Sequence, residues 1–557
     1  MGKRVLIVGG VAGGMSAATR ARRLAEDAEI VVFERGPHVS FANCGLPYYL
    51  GGEITDRNKL LVQTPERLMA AFNIDVRARA EVVAIDRAAR QVEVRNLATG
   101  MSSYERYDAL VLSTGAAPIV PRVPGAERPG HFILRSLDDM DAIDAWVRER
   151  GAEKAVVVGG GFIGLEVAEQ FHRRGLQVSV VERNPQVLKP FDPELAAHLH
   201  AELRKRGVAL HLNNGLARFD APAAGEDAGA SVVVLANGAR LAADVVILGL
   251  GVRPESKLAR DAGLDLGTTG GIKVDAHLRT SDPNIFAVGD TIEVTHAVTG
   301  KPALIPLGGP ANRQGRTAAD NIFGIGTKYP GTLGTASVRV FDLTAAVTGA
   351  NEALLTAVGI AFEAVHLHPN SHAGYYPGAK PLALKVLFAP DTGKLLGAQV
   401  VGADGVDKRI DVLATALRAG MTVDDIADLE LSYAPPFGSA KDPVNLAGMA
   451  AQNVRAGRVA VIQWDEIARL DRSHTLVLDV RETKEREGGT IPGSVHIPLG
   501  DLRARLDELP RDMEIVAHCA TGQRSYNACR VLMQNGFRCR NLAGSFKTWK
   551  AAQDGAQ

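Results

Sequence analysis

The chain opens on an apolar, β-branched run, VLIV at residues 5–8, set between Arg4 and a cluster of glycines. A short run of this kind predicts a buried strand. Residues 12–25 follow with Ala, Met, Arg and Leu at helical spacing, and a second apolar run over 30–34 ends on Glu34. The same order returns about 150 residues later in AVVVGGGFIGLEVAEQFHRRGLQVSVVER, with its acid at Glu182. Each stretch predicts strand, glycine turn, helix, strand. A shorter apolar run in RTSDPNIFAVGDT (279–291) ends on Gly289-Asp290. After about residue 460 the pattern changes: TLVLDVRE and MEIVAHCATGQRSYNACRVL predict two strands, the second running through a short loop into a helix.

The glycine turns carry chemistry. Glycines between a strand and a helix let backbone approach a pyrophosphate, whose charge rests on the helix N-terminus, and an acid about 20 positions on receives ribose hydroxyls. One such turn is a weak signal, because glycine turns are common. Two complete units in one chain are a strong signal for two dinucleotides. The second unit, Gly159, Gly161 and Gly164 with Glu182, fits the full spacing. The first has Val11 in place of the middle glycine, within Gly9-Gly10-Val11-Ala12-Gly13-Gly14, so its dinucleotide is held somewhat differently. Glu182 repels a 2′-phosphate and predicts NADH, a preference that the adjacent Arg183 softens. An aspartate at 290 is placed to accept hydrogen bonds from a flavin ribityl chain.

Composition narrows the class. A chain of 557 residues suggests three or four domains. Basic and acidic residues balance at 63 each, so no global field argues for nucleic acid. No stretch reaches the roughly 20 apolar residues of a membrane span. The apolar start is short and broken by glycines, hence folded core rather than a signal peptide, and a cytoplasmic protein is expected. Four cysteines, Cys44, Cys519, Cys529 and Cys539, are too few for a disulfide scaffold. No metal site is predicted.

STGAAP (113–118) and LGLGVRPES (248–256) add further glycine turns, and with the segments above they resemble the FAD- and NAD(P)H-dependent pyridine nucleotide-disulfide oxidoreductases over about residues 1–450. The resemblance implies an α/β chain with a discontinuous FAD domain (1–118 and 246–326), an inserted NADH domain (119–245) and an α+β dimerisation domain (327–452). The FAD set becomes Gly9, Gly10, Ala12, Gly13, Glu34, Arg35, Val83, Thr114, Gly115, Gly289 and Asp290. The NADH set becomes Gly159, Gly161, Gly164, Glu182 and Gly251.

Cys44 lies in SFANCGLPYY, and where the disulfide reductases of this family place a second cysteine, five positions on, this chain has Tyr49. The segment resembles the single-cysteine branch, which includes coenzyme A disulfide reductases, NADH oxidases and NADH peroxidases. The redox partner of Cys44 then comes from substrate or cofactor. A helix beginning after Cys44 is expected to lower its thiol pKa. The peroxidases and oxidases carry a histidine at the position of Ala12, which argues against peroxide chemistry here. Ser16, Arg20 and Arg23 share a helix face. Spacing alone reads Arg20, Arg22 and Arg23 as solvated, whereas the resemblance assigns Ser16, Arg20 and Arg23, with Ser40, Asn43 and Lys441, to coenzyme A. It also implies that tyrosines of HAGYYPGAKP and LSYAPPFGSAKDP reach the cysteine of the other subunit in a homodimer: Tyr433, and Tyr375 or its rival Tyr376. One departure is MAAFNID (69–75), where those reductases have a lysine.

Cys519-Ala520-Thr521-Gly522-Gln523-Arg524-Ser525, with DVRE and IPGSVHIP, resembles the rhodaneses over residues 460–557. Loop amides, the positive charge of Arg524 and the following helix form a cradle for a thiolate or persulfide. Cys529 and Cys539 are read as structural. The fusion points to an NADH-dependent reductase of persulfides or polysulfides using coenzyme A. Plain coenzyme A disulfide reduction and a sulfurtransferase relay are the alternatives.

Overall fold

The structure, a computed structural model, describes residues 2–222 and 230–555. The chain divides into two compact units: residues 1–184 with 207–334, and residues 185–206 with 335–557.

The first unit contains two parallel sheets. Arg4–Val8 lies between Glu29–Glu34 and Ala109–Leu112, with Asp75–Ala78 and Ile285–Ala287 outside them. Four successive residues of Arg4–Val8, Val5 to Val8, are buried, because a parallel strand covered on both faces has no polar side to show. The helix Ala12–Leu24 crosses Gly308–Ile322 at a point where neither can be wide: a Cβ on Gly315 would run into the Gly13 carbonyl. The second sheet runs Ala209–His211, Gln177–Val181, Lys154–Val158, Val245–Leu248, His131–Phe132. Between the two sheets the chain crosses twice, and Ala116–Pro118 pairs antiparallel with Val252–Pro254 at those crossings. Val83 sits at a register irregularity in a separate antiparallel sheet of Ala80–Asp86, Gln91–Asn96 and Ser102–Arg106.

The second unit has an antiparallel sheet in the order Ala336–Val340, Leu343–Gly349, Leu395–Gly402, Leu382–Phe388, Glu363–Leu367. Helices Val406–Ala419 and Pro443–Arg455 cover it. A parallel sheet follows, ordered Ala460–Ile462, Arg538–Leu542, Glu514–His518, Thr475–Asp479, Val495–His496.

Residues 185–206 group with the second unit although they fall within the stretch read as the NADH domain. The reason is a buried charge. Lys385 is 1% exposed, and its ammonium lies 2.8 Å from Asp192, 2.6 Å from Glu194 and 2.7 Å from Glu352. Glu194 also accepts hydrogen bonds from Trp464 Nε1 at 3.2 Å and meets His366 Nε2 at 2.9 Å. A buried ammonium needs such partners, and removing one leaves a charge without compensation. Helix Pro193–Lys205 is therefore fixed to the antiparallel sheet, and it packs against the last helix, Ser545–Gly555. No helix among the described residues is long and apolar enough to cross a membrane.

Candidate active sites

The two glycine turns are built alike. Gly9 and Gly159 adopt φ +99° and +116°, and a Cβ on either would strike a carbonyl, that of Ser113 or Gly249. Gly14, rather than Gly13, is the counterpart of Gly164: a side chain at either position would meet the carbonyl of the first glycine of its turn. Gly161 differs, since a Cβ there meets no protein atom within 4 Å. Nothing among the described residues demands glycine at 161, and the open space fits a pyrophosphate approaching the backbone. The acids are tied to the turns they serve. Glu34 accepts the Gly10 N–H and Glu182 the Gly160 N–H, each at 2.8 Å. The other oxygen of Glu34 takes the Gly36 amide at 2.8 Å, and that of Glu182 takes the Asn184 amide at 2.9 Å.

Around the first turn, Arg35 pairs with Glu255 at 2.7 Å, and Arg135 meets the same carboxylate at 3.2 Å. The Thr114 hydroxyl donates to the Glu255 carbonyl at 2.7 Å, beside Gly115 with its φ of +71°. Gly251 accepts the Ile119 N–H at 2.9 Å. The Gly289 N–H donates to the buried Gln314 side chain at 2.8 Å, which aims the adjacent Asp290. Burial pushes the Asp290 carboxyl up, against the pull of Arg135. These groups suit a flavin: backbone amides for phosphates, an acid for ribose and Asp290 for a polyol.

Cys44 is exposed and free. It sits in the single-turn helix Asn43–Gly45, and its N–H donates to Asn43 Oδ1 at 3.0 Å. Ser40, at φ +45°, links this loop to the glycine turn, since its N–H donates to the Gly10 carbonyl at 2.8 Å. The expected lowering of the thiol pKa is reversed. Desolvation by the surrounding protein and the carboxylates of Glu166 and Asp290 push the Cys44 thiol up, and its backbone hydrogen bond opposes them only in part. The helix after it, Leu46–Leu50, is a single short turn, too small to outweigh two carboxylates. Glu166 accepts the Tyr48 hydroxyl at 2.9 Å. No local sequence signal marks it, since it lies 122 positions from Cys44, on Phe162–Arg173.

On the first helix, Ser16 donates to Asn312 and Arg20 pairs with Asp320 at 2.6 Å. Arg23 is exposed, with its guanidinium 5.3 Å from the Phe72 ring centre. Arg22 is not on a solvated face. It is 5% exposed, and it donates to the carbonyls of Phe72, Asn73 and Glu26.

In the second unit, Tyr375 and Tyr433 meet hydroxyl to hydroxyl at 2.9 Å, although they are 58 positions apart. Tyr375 is 77% exposed, and Tyr376, Tyr433 and Phe437 are exposed beside it in the sequence segments that carry them. Tyr376 instead stands edge-on to His372, with ring centres 5.8 Å apart, so Tyr375 is the partner of Tyr433. Lys441 is exposed just ahead of Asp442, which caps Pro443–Arg455 and holds the buried Arg409 at 2.9 Å.

Cys519 is fully buried at the end of Glu514–His518, ahead of helix Gln523–Gln534. Its sulfur accepts the Gly522 N–H at 3.1 Å and the Ser525 hydroxyl at 3.5 Å. Burial pushes the thiol up, but hydrogen bonds from the Ser525 hydroxyl and from the amides of Ser525, Gly522 and Thr521 outweigh it and hold the thiol below its ordinary range. Arg524 forms a two-pronged pair with Glu485, both distances 2.6 Å, so its charge near the sulfur is shared with a carboxylate that sequence reading missed. Asp479 and Arg481 pair in the interior at 2.7 Å. Cys529 and Cys539 are buried and not joined in a disulfide; the Cys539 thiol donates to the Cys529 sulfur at 2.9 Å, and burial raises Cys529 well above the ordinary thiol range.

Residues 3–307 match the pyridine nucleotide-disulphide oxidoreductase family, residues 335–443 its dimerisation domain and residues 465–552 the rhodanese-like domain. The chain is 36% identical over 450 residues to the coenzyme A disulfide reductase of Staphylococcus epidermidis, covering 81% of this chain and all of that one. Its fold is similar to that of reduced Bacillus anthracis CoADR-RHD, with a TM-score of 0.96, 48% identity, and coverage of 99% of this chain and 98% of the other. It is also similar to a NAD-dependent persulfide reductase from A. fulgidus, with a TM-score of 0.91, 39% identity, and coverage of 98% and 100%.

Proposed function

This chain belongs to the pyridine nucleotide-disulphide oxidoreductase family and adds a rhodanese-like domain, and from that premise we propose that it is an NADH- and FAD-dependent reductase of persulfides and polysulfides, such as coenzyme A persulfide. The observation that carries this reading is the pair of thiols. Cys44 is exposed, with no cysteine near it in sequence, whereas Cys519 is enclosed in a loop of amides suited to a sulfane sulfur.

Cys44, as thiolate, attacks the coenzyme A sulfur of the persulfide. A Cys44–coenzyme A disulfide forms, the sulfur–sulfur bond of the persulfide breaks, and hydrosulfide leaves. When bound, FAD supplies the two-electron path between NADH and this disulfide. Two electrons and a proton then cleave it to the Cys44 thiolate and free coenzyme A. The net change is coenzyme A persulfide plus NADH and a proton to coenzyme A, hydrogen sulfide and NAD⁺. Ser16, Arg20, Arg23, Ser40, Asn43 and Lys441 are proposed to hold coenzyme A. Arg20 does so with the guanidinium nitrogens that Asp320 leaves free, since its Nε is the atom in that pair. The dimerisation domain supports a dimer, in which the Tyr375–Tyr433 pair of one subunit serves the other's Cys44, and Tyr hydroxyls donate to a leaving sulfur. Cys519 takes sulfane sulfur from a polysulfide or thiosulfonate and passes it to the coenzyme A thiol. A cytoplasmic setting completes the proposal.

Coenzyme A disulfide reduction is the second reading, favoured by the 36% identity to a coenzyme A disulfide reductase over the whole length of that protein. It requires Cys44 and makes no use of Cys519. Rates of NADH oxidation with coenzyme A persulfide and with coenzyme A disulfide are compared in the parent and in Cys519→Ser. A higher rate with persulfide, and slowed polysulfide reduction in the variant, support the persulfide reading. Preference for the disulfide with no effect of Cys519→Ser overturns it.

A further inference from the structure

Ser545 is a buried, non-glycine residue at φ +55°, the left-handed region that side chains rarely adopt. It begins the last helix, Ser545–Gly555, and is held from both sides. The Phe546 N–H donates to the Cys519 carbonyl at 3.1 Å and the Lys547 N–H to the Ala520 carbonyl at 3.0 Å. Its own hydroxyl oxygen accepts the Cys519 N–H at 3.1 Å and lies 3.1 Å from the Ser525 hydroxyl. Ser525 in turn reaches the Cys519 sulfur at 3.5 Å. The Ser545 hydroxyl has two acceptors within reach, the Ser525 oxygen and the Leu542 carbonyl at 3.3 Å, and with its proton on Ser525 a ring closes: Cys519 N–H to Ser545, Ser545 O–H to Ser525, Ser525 O–H to the sulfur.

We propose that Ser545 is a positioning residue of the Cys519 site, which takes up the Cys519 amide proton and, by donating to Ser525, turns the Ser525 hydroxyl onto the sulfur. Without that donor, the Ser525 hydroxyl has a second acceptor within reach, the Gly522 carbonyl at 3.1 Å, and turning there leaves the sulfur one hydrogen bond short. Hydrogen bonds in a ring polarise one another, and those to a thiolate are charge-assisted. Strain at a left-handed, buried residue persists where surrounding contacts fix it, and such residues gather at functional sites. The purpose of the ring rests on reading Cys519 as a sulfane-sulfur acceptor.

The test is an ultraviolet thiolate titration of Cys519 in the full-length holoenzyme, with Cys519→Ser as the blank. Glycine is at ease at positive φ, which offsets part of the cost of leaving the Cys519 amide without its acceptor, so Ser545→Gly removes the hydroxyl with a melting temperature at or modestly below the parent's. The expected result is a roughly tenfold fall in thiolate fraction below the titration midpoint. Ser545→Ala must titrate in the same way whatever its stability. Ser525→Ala gives a similar fall, and the double variant Ser525→Ala/Ser545→Gly falls no further than Ser525→Ala alone, as coupled groups do. Titration of Ser545→Gly together with the parent overturns the proposal, and so does simple addition in the double variant. Failure of the parent Cys519 to take up sulfur from polysulfide defeats the acceptor reading instead, and leaves the titration result standing.

Discussion

The two reactive thiols sit in surroundings of opposite sign. Cys519 is fully buried yet held below its ordinary pKa range, because amides and a hydroxyl of its own loop converge on the sulfur. Cys44 is exposed yet pushed above it, because Glu166 and Asp290 add their charges to the cost of desolvation. One site stabilises its thiolate with the chain alone. At the other the chain works against the thiolate, so the stabilisation must come from what binds beside it. The contrast matches the division of labour proposed for the two sulfurs. A sulfur acceptor needs a preformed cradle for charge, and a thiol that makes and breaks a disulfide with a visiting partner needs an open sulfur whose ionisation follows the arrival of that partner.

Cys44→Ser separates the sites most sharply. NADH-dependent reduction of coenzyme A persulfide should fall by on the order of 10³-fold or more, while sulfur uptake by Cys519, followed by mass spectrometry, stays intact. Loss of both activities would mean that the sites are one machine.

Acid should separate the units next. Burial lowers His200 and His518 to about 4 and His368 to about 3, all three in the second unit. Each is held neutral in the fold. The stability it contributes is complete above its unfolded pKa near 6.5 and is lost as pH falls through the window down to about 4, or about 3 for His368, at about 1.4 kcal/mol per pH unit and histidine. Burial also lowers His131 and His211 of the first unit, but by smaller shifts, so amide hydrogen exchange should open the second unit before the first as pH drops from 7 to about 4. Simultaneous opening would contradict that.

The smallest effect sharpens the contrast at Cys44. Glu166→Gln removes one opposing charge, so the thiol titrates at lower pH. Its single-turnover reaction with coenzyme A disulfide, measured below the titration midpoint, should quicken by a few-fold. An unchanged pH profile would mean that the Glu166 charge is not felt at the sulfur.

Local features were legible in the sequence. The glycine turns, their acids and the Cys519 loop each lie within one short stretch, where backbone geometry dictates residue type, and the structure builds both turns alike. What escaped depends on partners distant in the chain. Glu166 stands 122 positions from Cys44, and Lys385 gathers Asp192 and Glu194 from a helix that sequence order placed elsewhere. Arg22 looked solvated from its spacing because the carbonyls it satisfies, those of Phe72 and Asn73, lie some 50 positions on. Ser545 carries no sequence signal at all, since only its backbone angle and its contact with Cys519 mark it.

Cys44 must find its sulfur partner outside the chain for the proposed reaction to run. Peptide mass mapping of the protein after brief anaerobic mixing with coenzyme A disulfide tests this directly. One coenzyme A per chain on the Cys44 peptide, released again by NADH, is the predicted result. An unmodified Cys44, or one linked to another cysteine of the protein, would contradict it.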